Sequence, residues 1–202
     1  MTTRTVFRAL MPALAGLLLT ACGGVLESQK PARQTYLLQP PDPVAGTLAE
    51  GVTLNLAVSA VPGLDTDRIL ALGPDARLNP VANVRWADHL PEVMTSVIRR
   101  TLADSGQFER VNTDTLAHPG DWQLDIELQA FYGMQSGDGS ISRVRLLMDA
   151  IVSCGERRER LRMNEEAPAG GSNVARLVAA HQQALDRALR SLPARLATAC
   201  SG

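Results

Sequence analysis

The sequence predicts an α+β fold: a mixed, largely antiparallel sheet with two amphipathic helices packed on one face. Three patterns carry the prediction. Residues 121–130 alternate strictly, Trp122, Leu124, Ile126, Leu128 and Ala130 against Asp121, Gln123, Asp125, Glu127 and Gln129. Period two belongs to a half-buried strand, and the polar side lets one sheet face meet water, as antiparallel sheets allow. Two other stretches repeat their apolar residues in steps of three and four, which gives a helix one apolar stripe. The first holds Leu90, Val93, Met94, Val97, Ile98 and Leu102; the second holds Val174, Leu177, Val178, His181, Leu185, Ala188, Leu189 and Leu192. Finally, a turn at Gly155-Glu156 sets a register in which Asp149 faces Arg162, Ala150 faces Leu161 and Met148 faces Met163. The apolar pairs then share one face and the ion pair takes the other. Stripes and sheet together make a layered structure.

The elements follow in chain order. Tyr36-Leu37-Leu38 is a short strand candidate, closed by the breaker-rich Pro40-Pro41-Asp42-Pro43. Leu54, Leu56, Val58 and Ala60 alternate with Thr53, Asn55, Ala57 and Ser59 and predict a strand; Pro62-Gly63 turns the chain. Residues 68–72 and 77–81 form a hairpin about Gly73-Pro74-Asp75. The first helix takes Asp88 as N-cap, tolerates Pro91 in its first turn and stops at Gly106. The loop at Gly137-Asp138-Gly139-Ser140 leads into a long strand over residues 141–153. Its hairpin partner ends near Asn164, with Arg157 and Glu159 on the apolar side close to the turn. Residues 165–171 are a loop, and Ser172 or Asn173 caps the second helix. Pro193 is expected to kink or end that helix, with Leu196 resuming its face. No internal repeat is visible.

With 202 residues, the chain has room for one sizeable core. A formal charge of −1, with 45% hydrophobic and 3% aromatic residues, excludes collagen-like, disordered and strongly basic nucleic-acid-binding classes. The averages conceal the first 21 residues. Arg4 and Arg8 precede an apolar run of about 13 residues, short of the roughly 20 a spanning helix needs. Pro12 and Gly16 weaken it further as a span. It ends in Leu19-Thr20-Ala21-Cys22, the pattern of a bacterial lipobox, so residues 1–21 read as a lipoprotein signal peptide. The alternative is a buried amino-terminal helix with an incidental cysteine. On the lipobox reading Cys22 is acylated, and each buried CH2 contributes about 0.8 kcal/mol to membrane anchoring. Gly23 stands where inner-membrane retention calls for Asp, which favours the periplasmic side of the outer membrane. Residues 22–34 form a lipidated tether, reaching roughly 35 Å when extended, and residues 35–202 form the domain.

Export gives the other cysteines a role. Cys154 and Cys200 then stand in an oxidising compartment, where a pair usually bonds, so a Cys154–Cys200 disulfide is expected, with two free thiols as the alternative. Closing a loop of about 45 residues is worth around 4 kcal/mol in the chain-entropy model.

Catalytic and cofactor patterns are missing from the sequence. His89, His118 and His181 have no partner at metal-ligand spacing, and His181 lies on an apolar stripe as a core imidazole does. Gly133-Met134-Gln135-Ser136-Gly137 carries its serine one place too late for a nucleophile elbow, and no P-loop or dinucleotide fingerprint occurs. Asp125 and Glu127, imaginable as paired carboxylates, fall on a solvent-facing alternation. The expectation is a non-enzyme with no cofactor, no metal and, given so few aromatics, no nucleic-acid partner. Arg143, Arg145, Arg158, Arg160 and Arg162 share one sheet face. They form either a solvated surface balanced by Asp149 and nearby acids, or a docking site for an acidic protein surface or lipid head groups.

The order of lipobox, tether, Tyr36-Leu37-Leu38 and the strand at residues 54–58 resembles the ABC-type transport auxiliary lipoprotein family, including its paraquat-inducible protein C type. The likeness continues through Val61-Pro62-Gly63-Leu64-Asp65-Thr66-Asp67-Arg68-Ile69. It is strongest at Val84-Arg85-Trp86-Ala87-Asp88-His89-Leu90, similar to that family's Arg-Trp-Ala segment, and Ser105-Gly106-Gln107-Phe108 fits the end of the helix. Asp65-Thr66-Asp67 departs from the family's commoner Leu-Asp-Arg spacing. The resemblance implies a non-catalytic subunit that supports an MCE-domain lipid transporter, its permease and ATPase being separate chains. It also implies envelope support, with a homo-oligomer as one form. Arg85 and Trp86, with Arg158, Arg160 and Arg162, are the partner-contact candidates, although a tryptophan just before a helix also serves as a core staple. The competing classes are an envelope-assembly lipoprotein and a lipid carrier uncoupled from ABC transport.

Overall fold

A computed structural model of the chain describes residues 33–44, 51–114, 120–171 and 173–201. The signal peptide, Cys22, most of the tether, His118 and Ser172 lie outside the described residues.

The architecture is mixed α+β. Eight strands make one open sheet: β1 (Gln34–Tyr36), β2 (Thr53–Ala60), β3 (Arg68–Leu72), β4 (Leu78–Trp86), β5 (Arg110–Asn112), β6 (Trp122–Gln135), β7 (Ile141–Cys154) and β8 (Arg157–Pro168). Helices α1 (Leu90–Asp104) and α2 (Val174–Cys200) cover one face. The central strand is β6. Along one edge it pairs antiparallel with β7, which in turn pairs antiparallel with β8. Along the other edge β2 runs parallel to its first half and β3 to its last residues, where Ala71 faces Gly133. The changeover coincides with a register shift between Leu128 and Ala130. There the chain leaves β2, Val61 N–H donates to the Leu128 carbonyl at 3.0 Å, and a 3-10 turn at Pro62–Leu64 leads to β3. β4 returns antiparallel on β3, while β1 and β5 add short parallel strands to β4 and β2.

Alternation places the core. Leu54 and Leu56 of β2, Leu124, Ile126 and Leu128 of β6, and Val144, Leu146, Met148, Ala150 and Val152 of β7 are each at most 2% exposed. They face the α1 stripe, where Met94, Ile98 and Leu102 are fully buried, and the α2 stripe from Leu177 to Leu196. Each large aliphatic side chain so buried contributes roughly 1.5–3 kcal/mol relative to exposure.

The expected β7–β8 register holds: Asp149 faces Arg162, Ala150 faces Leu161 and Met148 faces Met163. Gly155 makes the turn at φ +61°, a conformation glycine enters without a Cβ clash. Other expectations are corrected. β8 does not end near Asn164 but runs to Pro168, because Glu165, Glu166 and Ala167 continue the ladder on β7 and Ala167 is 1% exposed. β1 covers Gln34–Tyr36 instead of residues 36–38; Leu38 turns into the core. β4 extends to Trp86, past Asn83 at φ +61°, a left-handed conformation that asparagine tolerates better than most residues. The N-cap of α1 is His89, not Asp88: the Asp88 carboxylate accepts the His89 N–H at 2.7 Å and reaches no helical donor.

Helix α2 is capped by Asn173, whose Oδ1 accepts the Arg176 N–H at 3.2 Å. Pro193 does not end it. The ring removes one backbone donor, yet Leu192, Pro193 and Leu196 are all buried, and that packing carries the helix on to Cys200. Two α2 arginines reach round the free edge of β8: Arg187 Nη1 donates to the Glu166 carbonyl at 2.7 Å, and Arg195 Nη1 to the Arg162 carbonyl at 3.0 Å.

Candidate functional site

No group of three or more His, Cys, Asp or Glu side chains is placed to hold a metal ion among the described residues. Nor is any helix among them long and apolar enough to cross a membrane. What the fold presents is surface.

The sheet face turned away from the helices is built by the odd-numbered residues of β6 and β7 around the β7 midpoint and the even-numbered residues of β8. Cross-strand rows order them: Asp125, Ile151 and Arg160 form one, and Glu127, Asp149 and Arg162 the next. Arg162 grips Asp149 with two hydrogen bonds, Nε to Oδ1 at 2.7 Å and Nη2 to Oδ2 at 3.0 Å, and Arg160 adds one at 2.8 Å. These bonds, Arg162's foremost, hold the Asp149 carboxyl at about 2, below the ordinary carboxylate range, although its partial burial pulls the other way. The Asp149 side chain is 11% exposed, while those of Arg160 and Arg162 are 66% and 60% exposed. Arg143 pairs with Glu166 at 3.5 Å. Arg158, exposed on the same side of β8, lies in the next row, opposite Ser153. The five arginines of the sequence reading thus share a face, balanced in part by Asp149 and Glu166. On β6, Asp125 and Glu127 accept hydrogen bonds from Gln123 and Gln129. A trough of about 310 Å³ lies among Ser59, Asp125, Glu127, Ile151 and Arg160.

Arg85 and Trp86, adjacent in sequence, go to opposite sides. Arg85 is exposed, its Nε donating to Thr35 Oγ1 at 3.2 Å and its Nη1 lying 3.6 Å from Asp67. Trp86 is 1% exposed: it fills the core, with its ring centroid 5.7 Å from Phe131 and 5.3 Å from His181. A partner at this surface meets Arg85 and not the indole. His181 is itself fully buried; its Nδ1–H donates to the Leu177 carbonyl at 2.9 Å, which leaves Nε2 bare. Burial pushes its pKa down to about 4. His89 is exposed, and its hydrogen bond to Asp65 at 3.1 Å raises its pKa.

Cys154 and Cys200 are brought together at the end of β7 and the end of α2, with Cα atoms 5.8 Å apart, a separation that suits a disulfide. Arg157, beside the turn, donates to the Ser201 carbonyl at 3.0 Å, which explains how a charged residue sits on the apolar side.

The sequence reading missed a second surface. After β1 the chain becomes a strap across the helices: Leu38 is buried, and Gln182 of α2 accepts the Gln39 N–H at 2.9 Å and donates to its carbonyl at 2.8 Å. A groove of about 310 Å³ runs between strap and α1, with Leu37, Leu38, Val93 and Val97 against Glu92 and Arg100. The local signal was the pairing of an apolar dipeptide with a proline-rich stretch, which read as a strand and a breaker.

The family comparison decides what this scaffold is. Strands β2 to β8, helix α1, the arginine face and α2 as far as Leu192 lie within a match to the ABC-type transport auxiliary lipoprotein component family that spans residues 36–192. The chain belongs to that family. Among solved structures, this auxiliary lipoprotein is similar to protein XCC0632 from Xanthomonas campestris, of family DUF330. The TM-score is 0.65 at 19% identity, over 79% of this chain and 92% of that one. An uncharacterised protein gives a TM-score of 0.63 at 14% identity, over 83% of this chain and 98% of its own. At such identities the likeness is one of fold. No curated protein matches the chain. As a family member, the lipoprotein is an auxiliary component of ABC-type transport.

Proposed function

We propose that the chain is a non-catalytic auxiliary subunit of an ABC/MCE-type lipid transport system, anchored on the periplasmic side of the outer membrane and supporting envelope integrity. The observation that carries this is the family match over residues 36–192 together with Leu19-Thr20-Ala21-Cys22. Residues 1–21 are the signal peptide, Cys22 takes the acyl chains, and the tether of residues 22–34 sets the domain's reach at roughly 35 Å. The partners are an MCE-domain protein and its ABC permease/ATPase complex, and the subunit works in more than one copy. Cys154 and Cys200 form a disulfide that ties α2 to the sheet. Arg85 and, along β8, Arg158, Arg160 and Arg162 are its partner contacts, supported by their exposure.

Two experiments test the reading. Labelled palmitate should enter the full chain and be absent from Cys22→Ala; label retained in that variant removes the anchor. Under mild solubilisation the full chain should co-purify with an MCE-domain protein. Repeated recovery without one, from membranes that contain it, overturns the transport role.

A further inference from the structure

The groove between the strap and α1 offers one occupant three unlike things. Its floor is apolar, made by Leu38, Val93 and Val97. Leu37 stands on the rim at 65% exposure, more than any other large hydrophobic side chain among the described residues. Opposite charges mark its two ends along α1, Asp88 and Glu92 at the helix start and Arg100 farther on. Asp88 is occupied by the His89 N–H, but no ion pair engages Glu92 or Arg100 among the described residues. The helical rise sets those two about 12 Å apart along the axis.

The third offer is backbone. β1 runs beside β4 as far as the Tyr36–Trp86 pair, where β4 ends and the chain turns into α1. The strap goes on without that neighbour. Gln182 replaces it at Gln39, yet neither Leu37 nor Leu38 makes a backbone hydrogen bond among the described residues.

We propose that this groove binds an extended peptide segment of a partner chain, laid along the strap as an added strand. Side chains alternate along a strand, so two apolar residues in alternate positions enter the floor while their neighbours point outward to the rim. The rim calls for a basic residue at the Glu92 end and an acidic one at the Arg100 end. Four steps of strand span about 13 Å, so the order basic, apolar, polar, apolar, acidic matches the spacing on α1. The same backbone gives hydrogen-bond partners to Leu37 or Leu38, whichever turns its N–H towards the added strand. A lipid answers less of the site. At about 310 Å³ the groove stands at the small end of ligand pockets. One acyl chain fills the floor and leaves the charges and the strap backbone unanswered, and a zwitterionic head group carries its charges only a few bonds apart. The inference goes beyond the transport reading and does not rest on it, because the partner segment is defined by its chemistry alone.

The test uses the full chain held in lipid nanodiscs and two end-blocked peptides, Ser-Lys-Val-Thr-Val-Glu-Ser and its reverse, which present the charges in the two strand directions. One should bind with a Kd below about 1 mM and the other about tenfold more weakly, as read by shifts in the NMR signals of the Val93 and Val97 methyls. Binding should also slow amide exchange at Leu37 or Leu38. Glu92, Arg100 and Leu37 are exposed, so substitutions there leave the fold intact. Glu92→Lys and Arg100→Glu should each weaken the preferred peptide about tenfold, and the double variant should favour the other peptide. Leu37→Asp should abolish binding of both. Failure of both peptides to bind overturns the proposal, as does binding that ignores the charge substitutions or leaves the strap amides unprotected. Broadening of the Val93 and Val97 signals by spin-labelled acyl chains, with neither peptide bound, also overturns it and makes the groove a lipid site.

Discussion

Gln182 holds Gln39 by both sides of its backbone, accepting the N–H at 2.9 Å and donating to the carbonyl at 2.8 Å. One side chain thereby imitates a strand neighbour for a segment that has left the sheet. Replacing Gln182 with Ala should cost about 1–2 kcal/mol. Hydrogen exchange should show residues 37–42 opening well before the sheet. The nearby Arg190–Asp42 pair, 3.7 Å apart with Asp42 at 95% exposure, should contribute almost nothing, so Arg190→Ala leaves the same amides protected. Equal effects in both variants contradict this ordering.

His181 makes stability depend on pH in a defined window. Its folded pKa, about 4, lies below the ordinary value of 6.5, so the unfolded chain binds the extra proton between those limits. Stability is then full above about pH 6.5 and is lost as pH falls towards 4. Thermal melts should show the midpoint dropping through this range, and His181→Leu should flatten that slope. Asp149, held at about 2, loses its contribution only below about pH 4, so the two effects separate. A slope that persists unchanged in His181→Leu assigns it to another group.

Neighbouring residues Arg85 and Trp86 should respond differently to truncation. Trp86→Ala opens a cavity against Phe131 and His181 and should cost about 3–5 kcal/mol, a large share of a domain's total. Arg85→Ala removes exposed contacts to Thr35 and Asp67 and should cost less than about 1 kcal/mol. Denaturant titration of both variants checks the difference, and a pull-down with the solubilised transporter shows whether Arg85 matters to binding.

Reduction should loosen α2. The proposed Cys154–Cys200 bond closes a loop with a sequence separation of 46, so its loss should lower stability by around 4 kcal/mol in the chain-entropy model. Urea midpoints with and without reductant, alongside the mass of the alkylated protein, check it. An unchanged midpoint, or alkylation of both thiols in native protein, contradicts the bond.

Features written in nearest neighbours were legible in the sequence. The alternation of residues 122–130, the α1 stripe and the two-residue turn at Gly155 each specify their geometry within a few positions, and the Asp149–Arg162 pairing followed from the turn alone. Pairings closed by distant chain were not legible. Nothing local states that β2 lies parallel to β6, some 70 residues away, or that β3 replaces it at the register shift beyond Leu128. The polar pair Glu165-Glu166 reads as loop until β7 supplies a ladder for it. Pro193 reads as a helix end until the buried Leu192 and Leu196 hold the helix across it. At the candidate surface, the arginine face was visible as a pattern, since period two collects its members. The strap over α1 and α2 depends on Gln182, 143 residues from its partner, and no periodicity marks it.

The arginines that reach round β8 set a limit on growth. A sheet with a bare twelve-residue border is a template on which identical chains can stack without end. Arg187 and Arg195 occupy carbonyls along that border, and β1 and β5, three residues each, cover the last residues of β4 and the first of β2. The border of β8 is thereby partly capped, at Arg162 and Glu166. Copies that meet through a face about a symmetry axis make an assembly of fixed number, whereas copies that meet through borders make fibres.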